Sequence, residues 1–99
     1  MKRILTVLVI GLSLFGGPTL AQSTLCFATA SKFKIIQNGM SIDEVESIIG
    51  CRGETLSENQ MAGIHTIMIA WSGRGGVGAN MNAMFQNDRL IMKSQFGLR

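Results

Sequence analysis

One histidine, two cysteines, one tryptophan and one proline stand in a chain of 99 residues, of which only 15% are charged. With His65 as the lone imidazole and no acidic cluster beside it in sequence, a metal centre of ordinary nitrogen, oxygen and thiolate donors lacks ligands. No nucleophile, base and orienting group can be assembled around it either. The carboxylates Asp43, Glu44 and Glu46 belong to the start of a helix, where acidic side chains offset the positive end of the dipole. No catalytic residue, metal or cofactor is expected, and His65 reads as a strand-edge residue of a non-enzyme.

Long hydrophobic runs are also missing. The longest extends from Ile4 to Phe15. A helix that crosses a bilayer needs roughly 20 residues, and this run falls short of that. It follows Lys2 and Arg3 and leads into Gly16-Gly17-Pro18 and then Thr19-Leu20-Ala21, the pattern of a secretory signal peptide cleaved after Ala21. Residues 1–21 are thus assigned to a signal peptide and 22–99 to one small domain, with no transmembrane segment left. A surplus of one charge sign is absent too. Lys2 and Arg3 leave with the signal, so the nine basic residues of the whole chain drop to seven against six acidic ones, and nucleic acid is not expected as a partner. The implied location is bacterial and exported, periplasmic or secreted.

What is present begins with Lys32 to Cys51, KFKIIQNGMSIDEVESIIGC. Ser41 and Glu44 have the spacing of a capping box, and Met40 and Val45 that of a hydrophobic staple, so a helix is predicted to start at Ser41. Ile42, Val45, Ile48 and Ile49 form its apolar stripe, and Gly50 supplies a left-handed end. Gly39 is predicted to close a preceding helix that carries Phe33, Ile35 and Ile36. In such a helical hairpin the start of the first helix lies near the end of the second, and Cys26 and Cys51 flank those two points. A Cys26–Cys51 disulfide is expected in an oxidising compartment. The alternative, a lipid on Cys26, is disfavoured by the bulky Leu25 ahead of it.

After Cys51 the periodicity shortens. Glu54 to Glu58 and the β-branched run Ile64 to Trp71 read as strands, followed by Asn80 to Gln86 and Arg89 to Gln95 joined by an Asn87-Asp88 turn. That turn pairs Phe85 with Leu90, Ala83 with Met92 and Met81 with Ser94 on a face that the helices cover, leaving Asn80, Asn82, Met84, Ile91, Lys93 and Gln95 on the open face. Ile67, Ile69 and Trp71 are expected inward. Gly73-Arg74-Gly75-Gly76-Val77-Gly78 spells GxGxxG, but a strand rather than a helix follows, so it reads as a flexible hairpin loop and not a phosphate cradle. Met61, Met68, Met81, Met84 and Met92 suggest copper or an adaptable surface, yet alternation assigns Met81 and Met92 to the core.

The segments KFKIIQNGMSIDEVESIIGCRGETLSE and AMFQNDRLIMKSQFGL resemble the repeat unit of the β-lactamase inhibitory protein family. The most specific positions are Phe33, Gly39-Met40-Ser41, Val45 and Gly50, then Phe85, Leu90, Lys93 and Gln95 through Leu98. A looser likeness joins them to small lipoproteins of outer-membrane assembly. The resemblance implies an α+β fold, with an N-terminal helical hairpin on one face of a four-stranded antiparallel sheet and protein binding through the other. Where the inhibitors carry histidine and tryptophan on the third strand, this chain has Asn82 and Met84; Phe96 keeps an aromatic in the last strand. The surface expected to meet another exported or envelope protein is Arg74, Asn80, Asn82, Met84, Ile91, Lys93, Gln95 and Phe96. The alternative function is an accessory role in envelope structure or outer-membrane assembly.

Overall fold

The computed structural model describes residues 26–99, beginning just before helix α1 (Ala30–Ile35). The expected signal peptide lies outside the described residues. Thr29 opens α1 by accepting a hydrogen bond from the Lys32 amide on its hydroxyl. After six helical residues the chain leaves helical geometry at Ile36, which is extended and fully buried. Gly39 is therefore not the cap of this helix, contrary to the sequence reading. The reason is packing: Ile36 must turn into the core, which ends α1 early and frees the Gly39-Met40 turn for another use. The Gly39 amide donates to Leu90 O and the Leu90 amide to Met40 O, each at 2.8 Å. The turn thereby covers one backbone unit of the outer sheet edge.

Helix α2 (Ile42–Ile49) follows the sequence closely. The Ser41 hydroxyl accepts from the Glu44 amide at 3.1 Å and the Glu44 carboxylate from the Ser41 amide at 2.8 Å. Together they complete the capping box. Gly50 ends the helix in the left-handed region at φ 111°. Replacing Ser41 with alanine removes one acceptor from the helix start, and a loss of about 1 kcal/mol in a urea titration is expected. Val45 and Ile49 are the buried residues of α2. Asp88 contributes from a distance: its Oδ1 accepts from the Ile42 amide at 3.0 Å. This ties a hairpin turn to one of the unpaired amides of the first helical turn.

The sheet is an antiparallel meander in the order β1 (Glu54–Met61), β2 (Ile64–Ser72), β3 (Gly75–Gln86) and β4 (Arg89–Leu98). Ala62-Gly63 and Asn87-Asp88 make its two tight turns, all four residues at positive φ as such hairpins require. The helical layer covers one face, where Ile69, Trp71, Met81, Ala83, Phe85 and Leu90 join Ile36, Val45 and Ile49 in one buried cluster. Ile67, Ile69 and Trp71 face inward as expected. The other face has no covering layer among the described residues. Cys26 and Cys51 form the expected disulfide, with Cα atoms 5.5 Å apart. That separation is ordinary for a disulfide, and the bond closes the loop that contains both helices.

Both lysines that touch the core side do so as caps. Lys32 Nζ donates to Ile49 O at 2.8 Å and Phe27 O at 3.1 Å, satisfying the end of α2. Lys93 Nζ donates to Phe33 O and, at 2.7 Å, to Ile36 O, and stands 4.2 Å from the centre of the Phe33 ring. These charges sit at helix C-termini, where the dipole favours them. Lys93 therefore lies beneath the helices and not on the open face.

Candidate protein-binding face

The position of Lys93 follows from one extra residue. Gln86 pairs with Arg89 and Phe85 with Leu90, as the turn predicts, but Met84 pairs with Met92 and leaves Ile91 unmatched. This is a β-bulge: two residues of β4 oppose one of β3, and every later residue of β4 changes face. Met92, expected in the core, comes out to the open face and is 56% exposed. Lys93 and Gln95 move to the side of Ala83 and Met81. The assignment of Lys93 and Gln95 to the open face is corrected on that ground. Ile91 is the bulged residue and is partly exposed at the sheet edge.

Three rows of paired residues then define the open face. Ser72, Asn80 and Phe96 form one; Ala70, Asn82 and Ser94 the next; Ser57, Met68, Met84 and Met92 the third. Asn80, Asn82, Met84 and Phe96 are thus where the sequence reading put them, Met68 and Ala70 face outward as the inward Ile67, Ile69 and Trp71 imply, and Met92 and Ser94 were not anticipated. Met68 was legible, since inward Ile67 and Ile69 force it outward. Met92 was not, because a bulge leaves no residue-type mark in the run Leu90-Ile91-Met92. The one ionisable side chain in these rows is Glu54, which extends the second row onto β1. Glu54, opposite Ala70, and Arg89, opposite Gln86, stand at the margins. A charge-poor, amide- and methionine-bearing centre is the composition found at the middle of protein interfaces.

At one end the face continues into the segment from Gly73 to Gly78. Its root is pinned and not the flexible loop expected: the Arg74 amide donates to Ala28 O at 2.8 Å, the Gly73 amide to Ala79 O at 2.9 Å, and the Arg99 amide to Arg74 O at 2.8 Å. Gly75 already pairs with Leu98. Only the tip, the irregular stretch Gly76-Val77-Gly78 of β3 between the Gly75–Leu98 and Asn80–Phe96 pairs, stands clear, and Val77 is wholly exposed. Asn80 Nδ2 donates to Gly78 O at 2.8 Å and so joins the tip to the row that carries Phe96, itself 64% exposed. Arg74 is exposed at the root.

His65 lies on the helix side of the sheet, where its Nε2 is 2.5 Å from Glu58 Oε2 on the neighbouring strand. That pair is partly exposed, and among the described residues no group of three or more His, Cys, Asp or Glu side chains converges on a point. The chemistry on offer is recognition: an apolar and amide surface with an exposed aromatic beside the exposed, irregular start of β3.

No curated protein and no solved structure matches the chain. A family model does, that described as beta-lactamase inhibitor (BLIP), over residues 29–99. The match runs from the cap of α1 to the last residue and takes in every helix and strand described above, so the chain belongs to the β-lactamase inhibitor (BLIP) family.

Proposed function

We propose that this chain is an exported domain that binds another protein through the open sheet face and the tip of the Gly73–Gly78 segment, and that it performs no catalysis. The observation that carries the reading is the uncovered face itself. Met68, Met84, Met92 and Phe96 are gathered there with Asn80 and Asn82, while charges are kept to its margins. Family membership supports it, since the family is described by an inhibitory and therefore protein-directed role. Export is supported by the signal-like residues 1–21 and by the disulfide, a bond at home in an oxidising compartment. A β-lactamase is the first partner to test. The chain offers one unit with Asn82 and Met84 on its third strand, so we expect it to hold its partner mainly through Phe96 and the thioether row.

A photoactivatable residue placed at Asn82 or Ser94 is expected to crosslink a discrete protein in the exported fraction, whereas the same residue at Ile35 on the helical layer yields none. Equal capture from both faces would refute the reading. Once a partner is in hand, Phe96→Ala is expected to weaken binding by about tenfold or more while leaving the urea midpoint unchanged. The envelope-assembly alternative predicts co-purification with membranes and usually a lipid on the first mature cysteine; the engagement of the Cys26 sulfur with Cys51 supports the first reading over it.

A further inference from the structure

We propose that Met68, Met84 and Met92 form a thioether site for a soft monovalent cation, copper(I) or silver(I), on the open face. This is independent of the identity of any protein partner. The three residues are directly opposite one another on β2, β3 and β4, with Met84 in the middle. Residues paired in this way place their Cβ atoms about 5 Å apart, so Met68 and Met92 flank Met84 on either side. Methionine carries its sulfur on an unbranched stem with three rotatable bonds, which lets the outer two lean over the central one. All three line one small depression, together with Asn82, Ala83, Lys93 and Ser94.

The surroundings select the ion. Thioethers are soft, neutral donors that favour copper(I) and its congener over the hard and borderline divalent ions, which seek carboxylate and imidazole. The methionine row brings neither of these, and the carboxylate of the open face, Glu54, stands opposite Ala70 in the next row, on the edge strand. The charge nearest in sequence, Lys93, is turned to the other side of the sheet, where its ammonium donates to the carbonyls of Phe33 and Ile36. Other soft donors among the described residues are accounted for: Cys26 and Cys51 are joined to each other, His65 sits with Glu58 on the helix side, and the Met40 sulfur accepts from the Gln37 amide in the turn that packs on the core. Met81 is fully buried beneath the helices, and Met61 lies opposite Ile64 beside the Ala62-Gly63 turn. Both serve as internal controls.

The test is titration of the oxidised exported protein with silver(I) nitrate in chloride-free buffer, followed through methyl-labelled methionine by NMR. One equivalent is expected to shift the methyl signals of Met68, Met84 and Met92 together and to leave those of Met40, Met61 and Met81 in place, whereas zinc(II) moves none of the six. Methionine and leucine are close in volume, so Met84→Leu preserves the fold. It is expected to weaken silver(I) binding about 100-fold by removing the central ligand, while Met61→Leu leaves it unchanged. Binding that survives the triple Met68→Leu, Met84→Leu, Met92→Leu change, binding that disappears in His65→Ala, or no methyl shift at one equivalent would each overturn the proposal.

Discussion

Replacing Cys26 and Cys51 together with alanine is expected to lower the unfolding free energy by about 3 kcal/mol, the closure entropy of the loop between them. The two cysteines are 25 residues apart, and the effect is large because of what lies between. α1 and α2 are six and eight residues long. Helices below about 12 residues are marginal on their own in water and depend on tertiary support. α1 itself buries no residue fully, so the layer is held by Ile36, Val45 and Ile49, by the two lysine caps and by the disulfide. A domain of this size has a total stability near the low end of roughly 5–15 kcal/mol, so most of the margin goes with the bond. With a slope of about 1 kcal/mol per molar urea, the midpoint is expected to fall by about 3 M. A shift smaller than about 1 M would show that the helical layer is held by the sheet alone.

Lys93→Met is expected to cost about 2–3 kcal/mol, the combined loss of charge-assisted hydrogen bonds to two carbonyls and of the contact with the Phe33 ring. Methionine keeps the aliphatic stem, so the position of the stem beside Ala83 is retained and the missing donor is what the experiment reads. Without it, the Phe33 and Ile36 carbonyls at the end of α1 lose their partner, an unfavourable outcome where water is partly excluded. The same substitution is expected to leave partner affinity unchanged once the folded fraction is taken into account. Phe96→Ala gives the reverse pattern, unchanged stability with weakened binding, and the two variants together separate the covered face from the open one.

That contrast shows how much of the molecule was legible in its residues. The capping box of Ser41 and Glu44, the left-handed Gly50, the Asn87-Asp88 turn and the inward set Ile67, Ile69 and Trp71 are local signals with one physical meaning each, and all are found as read. The disulfide followed from where the two cysteines stood relative to the helix ends. Three features escaped because non-local packing decides them. α1 stops at Ile35 because Ile36 is needed in the core. The backbone at Gly73 and Arg74 is held by Ala28, Ala79 and Arg99, which no pattern within the glycine-rich stretch could announce. The bulge at Ile91 leaves no visible trace, since Leu90, Ile91 and Met92 are equally acceptable on either face. It nevertheless exchanges Met92 for Lys93 across the sheet, and with that exchange sets both the cap on α1 and the methionine row.

The central claim is therefore the register of β3 against β4, and the measurement that tests it most directly is the set of short Hα–Hα distances seen by NMR between the two strands. Residues opposite one another without mutual hydrogen bonds bring their Cα atoms to about 4.5 Å and give strong signals. The bulged register predicts such contacts between Phe85 and Leu90, then between Ala83 and Lys93, with the Lys93 side chain against the Phe33 ring. A contact between Ala83 and Met92, with the Met92 methyl against Phe33, would contradict it. The methionine row would then be dispersed, and the open face would revert to the one expected from alternation alone.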